Sequence, residues 1–234
     1  SMMAKKLFPE QANCISMALT PMTLTARLVK HHQPGAKVAF IGPCAAKKLE
    51  AMRSDVRSEV DFVLTFEEMA GIFAARHIDV ETLKEDPHGI NDASTDGRNF
   101  AVSGGVAKAV VNVINEKYPD REIKVANAEG LRDCRKLLMA AKAGKYNGYL
   151  LEGMACPGGC AGGGGQPVDG TDREKAADRG KVLFRLDQNA PLRFSHENPA
   201  VQALYREYLD EPCSHRAEEL LHCDHFAWQM NASR

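Results

Sequence analysis

Apolar residues in the first third of the chain recur at helical spacing and then close up into short runs. Residues 20–33, TPMTLTARLVKHHQ, place Met22, Leu24, Leu28 and Val29 along a helix, with Thr20 at the N-cap and Pro21 at the first helical position. After a Pro34-Gly35 turn, the run KVAFIG (37–42) has the unbroken apolar character of a parallel strand buried on both faces. The alternation then repeats. Phe62–Leu64 predicts a strand, and Thr65 caps the following helix, with Glu68 three residues later completing a capping box.

Between His77 and Phe100 the pattern lapses into a polar stretch rich in Pro, Gly, Asn, Asp and Ser, which reads as a long surface connection ending near a boundary between two lobes. Beyond it, Ser103-Gly104-Gly105 opens a helix VAKAVVNVINEKY, EIKVANA forms a strand, and LRDCRKLLMAAKAGK forms a helix ended by Gly144. The strand YNGYLLEGM then runs into a glycine-rich segment. After Pro167 the chain turns charged and helical in KAADRGKVLFRLDQ, followed by NPAVQALYREYLDEP with Pro199 at a helix start. The expected class is α/β, with two lobes that each carry a mostly parallel sheet flanked by helices. The lobes are placed at 1–100 and 101–180, with a helical C-terminal segment, 181–234, packing on them.

Composition narrows the classes of function. The chain has 30 basic and 31 acidic side chains, so no net field recruits nucleic acid or an anionic membrane. No apolar run approaches the roughly 20 residues of a membrane span, and no signal peptide is evident, which makes the cytoplasm the expected location. Ser1-Met2 ahead of Met3 reads as a remnant of tag removal, so the natural chain is expected to begin further upstream.

Seven cysteines without a secretion signal suit reduced thiols, some of them metal ligands, better than a disulfide framework. Cys44 ends a strand in GPCAAKK, where ligand sites collect in α/β sheets, beside Lys47 and Lys48, which would favour a thiolate. A buried, inert cysteine is the alternative. The second motif, EGMACPGGCAGGGGQ (152–166), brings Cys156 and Cys160 toward one centre, with Gly158 and Gly159 relieving the turn between them. A soft metal suits such a pair, as zinc or as an iron–sulfur cluster. The later glycines, among them Gly163 and Gly164, admit backbone where a Cβ would clash, and their N–H groups could donate to sulfide or another anion. A flexible linker would not be flanked by a tight cysteine pair and an apolar strand.

The remaining cysteines, Cys14, Cys134, Cys213 and Cys223, lack such surroundings and read as structural. Cys213-Ser214-His215 and His222-Cys223-Asp224-His225 have no paired C-x2-C spacing, so a satisfied C-terminal helix end is expected there rather than zinc. His31, His32 and His88 read as solvated.

Taken together, these segments resemble the catalytic domain of the iron-only (FeFe) hydrogenases over nearly the whole chain. That family carries a P-C-x-x-K motif, matched by Pro43-Cys44-Ala45-Ala46-Lys47, and an E-x-M-A-C-x-x-G-C-x-x-G-G-G-x-P motif, matched by Glu152 to Pro167. SGGVAKAV (103–110), AEGL (128–131) and the tail segments SHENPAVQALYREYL and SHRAEELLH add to the likeness.

The resemblance implies a [4Fe–4S] cubane joined to a two-iron subsite, together the H-cluster, lying in a cleft between the lobes. Cys44, Cys156 and Cys160 would ligate the cubane, with Cys160 as the bridge to the subsite. Lys47 would hydrogen-bond a cyanide ligand and Met154 would pack against the subsite, with Gly158, Gly159, Gly163 and Gly164 lining the cradle. The implied activity is reversible reduction of protons to H2. Implied partners are ferredoxin or upstream ferredoxin-like domains and the cluster-assembly enzymes. Two departures stand out. Gly42 replaces a methionine, and the family's first cysteine motif is missing, since MAKKLFPE resembles what directly follows it. These 234 residues are therefore expected to be inactive alone, with an incomplete cluster. A hydrogen- or redox-sensing relative, or a zinc-bound or metal-free structural module, is the alternative.

Overall fold

A computed structural model describes residues 2–84, 92–167, 173–188 and 190–223. In chain order its elements are α1 (Met2–Leu7), α2 (Pro21–His32), β1 (Ala39–Gly42), α3 (Ala46–Ala51), β2 (Phe62–Thr65), α4 (Phe66–Ala75) and α5 (Thr95–Asn99). There follow α6 (Gly105–Lys117), β3 (Lys124–Glu129), α7 (Gly130–Lys142), β4 (Tyr149–Met154), α8 (Arg173–Gln188), α9 (Pro199–Leu204) and α10 (His215–Leu221). The protein is α/β, as its pattern predicts. Among the described residues, no helix is long and apolar enough to cross a membrane.

The chain divides into two compact units. The first comprises Ser1–Ile78, Gly164–Pro167 and Tyr205–Arg234, and the second Asp79–Gly163 and Val168–Leu204. The two expected lobes, 1–100 and 101–180, and the helical segment 181–234 are continuous stretches, whereas these units are interleaved. The division follows packing rather than chain order.

In the first unit β1 and β2 pair in parallel, with Ala39 opposite Phe62 and Gly42 opposite Thr65. One face of this pair, through Phe40 and Val63, packs with Val38 and Ala51 around Met22, Ala26 and Val60. The other face was expected to be buried as well. Instead Ile41 is 43% and Phe62 60% exposed, and α4 has no buried residue. Alternation along a strand sends Ile41 away from the side that α2 covers, and nothing among the described residues buries it.

Local signals hold more closely. Thr65 Oγ1 accepts the Glu68 N–H at 3.1 Å while Glu68 Oε2 accepts the Thr65 N–H at 2.8 Å, the expected capping box. Thr20 occupies the N-cap position of α2 but makes no cap hydrogen bond, because its hydroxyl donates to Glu50 on α3. Asp61 ties the unit together by accepting from Lys30 at 2.8 Å, Lys37 at 3.1 Å and the Val38 N–H at 2.9 Å. α10 joins through Leu19 N–H to Leu221 O at 2.7 Å.

In the second unit β3 and β4 pair in parallel, from Lys124 opposite Tyr149 to Glu129 opposite Met154. α7 buries Cys134 and Leu137. It ends as predicted at Gly144, whose N–H bonds to Ala141 O while Lys145 N–H reaches Ala140 O. The expected helix over 198–212 is shorter: α9 ends at Leu204 and gives way to one wider π-helical turn, Tyr205–Leu209. That junction is where the chain passes from the second unit back to the first.

Candidate functional site

β1 delivers the first motif at its C-terminal end. Gly42 is buried, and a Cβ there would lie 2.7 Å from the Phe40 ring, so the small residue is matched to its own strand neighbour. Pro43 and Cys44 are half-buried and lead into α3. Both lysines of the motif are held by carboxylates. Lys47 Nζ donates to Glu50 Oε2 at 2.6 Å, and Lys48 Nζ to Glu68. Glu50 also accepts from the hydroxyls of Thr20 and Thr23.

The end of the glycine run belongs to this same unit. Gly165 N–H donates to Pro43 O at 3.0 Å, and Gly165 O accepts from the Glu67 N–H at 3.0 Å, so this segment crosses the ends of both β1 and β2. A Cβ on Gly165 would meet Thr65 Cγ2 at 2.7 Å, which is why a side chain is excluded there. Gly164 is exposed, and a Cβ added to it would meet nothing within 4 Å.

β4 delivers the second motif in the second unit. Glu152, buried within the strand, points its carboxylate at the start of α6, accepting the N–H of Gly104 and of Ala107, each at 2.6 Å. Met154, half-buried, closes the strand, and its carbonyl accepts from the Cys134 thiol at 3.4 Å, as does Ala128 O at 3.5 Å. Burial pushes the Cys134 thiol's pKa up, so this is an inert hydrogen-bonding thiol, as the sequence suggests.

Cys156 is half-buried and Cys160 exposed. Between them Gly158 and Gly159 both adopt φ of +79°, and a Cβ on Gly159 would lie 2.7 Å from Ser103 N and 2.8 Å from Ala101 O. Glycine is therefore required here by conformation and by close packing. The amides of this turn are engaged by the protein itself, and so is that of Gly163, one of the later glycines expected to donate to an anion. Gly158 N–H donates to Glu129 Oε2 at 2.7 Å, Gly159 to Cys156 O at 3.1 Å, Ala161 to Ala101 O at 2.9 Å and Gly163 to Cys160 O at 2.9 Å. An apolar cavity of about 490 Å³ lies beside this turn, with Glu129, Pro157, Val102 and Phe184 in its wall.

The remaining cysteines divide by burial. Cys223 is buried, with its N–H on Met17 O at 2.8 Å, and Ser214 caps α10 through the Ala217 N–H at 3.0 Å. Cys14 and Cys213 are exposed. His31 and His32, at the end of α2, meet the Tyr208 ring edge-on. His88, Asp224 and His225 lie outside the described residues. Sequence reasoning missed Glu129 and Glu50, because their partners depend on strand register and helix packing. Their only local signal was an acidic residue at a strand end and one at i+3 from Lys47.

The family model for the iron only hydrogenase large subunit, C-terminal domain, matches residues 1–164, and that for the iron hydrogenase small subunit matches residues 173–228. The NADP-reducing hydrogenase subunit HndD of Solidesulfovibrio fructosivorans is 31% identical, over 95% of this chain and 45% of its own length. A probable cytosolic Fe-S cluster assembly factor of Drosophila virilis is 29% identical, over 83% of this chain and 49% of its own. Among solved structures, the [FeFe]-hydrogenase HydA1 from Chlamydomonas reinhardtii superposes with a TM-score of 0.75 at 26% identity, covering 94% of this chain and 72% of that one. The chain spans about half the length of the curated relatives it matches.

Iron–sulfur clusters are held by cysteine thiolates, and on donor chemistry the residues present fit. Cys156 and Cys160 flank a turn that only glycines can make, and Cys44 stands at a strand end. Three such thiolates are one short of a four-cysteine cubane. Among the described residues, neither unit gathers three or more His, Cys, Asp or Glu side chains at one place.

Proposed function

Because the chain belongs to the family of the iron-only hydrogenase large subunit, we propose that it is the cluster-binding part of an FeFe hydrogenase, which reversibly reduces protons to H2 with electrons from ferredoxin-type donors. The observation that carries this reading is the glycine-turned cysteine pair, Cys156 and Cys160, presented where β4 ends at Met154. Cys44, Cys156 and Cys160 are the thiolates the chain contributes, and a fourth ligand comes from other residues. The bound cluster would supply the redox chemistry, as cofactors generally do. Lys47 offers an ammonium to an anionic ligand while Glu50 holds one of its hydrogens, and Met154 places a half-buried apolar side chain two residues before Cys156.

The test is reconstitution. Anaerobic loading with iron and sulfide should give iron bound to the 234-residue protein and lost in the Cys156→Ala variant. Extending the chain to the length of its relatives and coexpressing the cluster-assembly enzymes should add infrared bands of bound carbon monoxide and cyanide, with H2 evolution. Iron without those bands or H2 would overturn the catalytic reading.

A second reading is a non-catalytic iron–sulfur protein with a sensory or assembly role. It is supported by Gly42, which stands beside the Phe40 ring where the family carries a methionine, and by the likeness to a cluster assembly factor. A stable cluster with no turnover in the extended protein is its expected signature, whereas zinc without iron or sulfide would point to a structural module.

A further inference from the structure

We propose that Glu129 is a positioning residue for the cysteine turn, its carboxylate pinning the stretch between Cys156 and Cys160 through the amide of Gly158. Of the three residues between the cysteines, Pro157 has no amide hydrogen and Gly159 turns back onto Cys156 O. Gly158 alone reaches outside the turn, to Glu129 Oε2 at 2.7 Å. The anchor is well placed. Glu129 is the last residue of β3 and stands in register opposite Met154, so the carboxylate extends from the sheet on the side where β4 releases the motif.

The other side of Gly158 is closed by α8, with Ala176 Cβ 3.1 Å from where a Cβ on Gly158 would sit. The next outside tie is Ala161 N–H to Ala101 O, beyond Cys160. Arg179 on α8 also donates to Ala161 O at 3.2 Å, so the Glu129 carboxylate ties the stretch between the thiols while Ala161 is tied on the far side of Cys160. A charged acceptor makes roughly twice as strong a hydrogen bond as a neutral one, so the carboxylate is the stronger form of the clamp and an amide oxygen a weaker one. Its negative charge also favours the more oxidised state of iron held by the neighbouring thiolates, which lowers the reduction potential.

The clamp itself is a property of the protein without metal, and only its effect on iron rests on the function proposed above. Amide hydrogen exchange of the 234-residue protein, resolved to the peptide spanning 155–161, is the first measurement. Glu129→Ala should speed exchange at Gly158 at least tenfold. Glu129→Gln keeps a weaker acceptor in place and should restore part of the protection. Unchanged exchange in Glu129→Ala overturns the clamp. After anaerobic reconstitution, Glu129→Ala should lose iron to a chelator at least twofold faster than the unsubstituted protein. Glu129→Gln should retain iron but show a higher midpoint in an EPR-monitored redox titration. If exchange responds while iron retention and midpoint do not, Glu129 shapes the turn without serving the cluster, and the positioning role is overturned. Failure of the unsubstituted protein to bind iron would sink the cluster reading, with the exchange measurement still deciding the clamp.

Discussion

Glu152 and Gly104 are 48 residues apart and meet through a single strong contact, the Gly104 N–H donating to Glu152 Oε1 at 2.6 Å, with the Ala107 N–H on the other carboxylate oxygen. The glutamate that opens the second cysteine motif is thus a helix cap. It neutralises orphan amides at the positive end of α6 and fixes β4 against that helix. Replacing it with alanine leaves one buried and one part-buried donor without this partner, and should cost about 2–3 kcal/mol in urea unfolding. Glutamine retains one acceptor and should cost about 1 kcal/mol.

Glycines of one run differ sharply in what they tolerate. Gly159→Ala would strain a positive φ, worth about 1–3 kcal/mol, and would also press a methyl into the 101–103 backbone. Gly164→Ala meets nothing within 4 Å. Thermal melts of the two variants should therefore separate clearly, with Gly164→Ala close to the unsubstituted protein.

Asp61 predicts an acid limb to the stability curve. Hydrogen bonds from Lys30, first, then from the Val38 amide and Lys37, hold its carboxyl well below the usual carboxylate range. The folded protein therefore binds this proton less readily than the unfolded chain, whose aspartate titrates at about 3.9. The stabilisation is fully present above about pH 4 and is lost as pH falls below it. Denaturation midpoints of Asp61→Asn should be lower than the unsubstituted protein's at neutral pH, and the gap should narrow in acid.

Thiol reactivity should rank with exposure and pKa. Cys14, Cys160 and Cys213 are exposed, whereas Cys134 and Cys223 are buried, with the Cys134 pKa raised by that burial. Iodoacetamide at about pH 8 should label the exposed three first and Cys134 last, read by peptide mass spectrometry of the native protein. Early labelling of Cys134 would contradict its hydrogen bonds to Ala128 O and Met154 O.

Packing contrasts can be measured in the same way. Met22→Ala, within the first unit's core, should cost about 2–5 kcal/mol. Phe62→Ser, on the open face of the β1–β2 pair, should cost far less in thermal unfolding of the 234-residue protein.

By itself the sequence determined those features whose cause is local. The Thr65–Glu68 capping box, the Gly144 helix stop, the alternation of strand and helix, and the cysteine pair with its glycine turn all depend on residues a few positions apart. Tertiary structure decided what depends on distant partners. It sent the Thr20 hydroxyl to Glu50 instead of to its own helix, left Ile41 and Phe62 uncovered, engaged the Gly158 amide with Glu129, and returned residues 164–167 and 205–234 to the unit of residues 1–78. Hydrogen-bond donors take the nearest well-oriented acceptor in space, and apolar faces are buried only where another element reaches them. Neither distance is written in residue spacing.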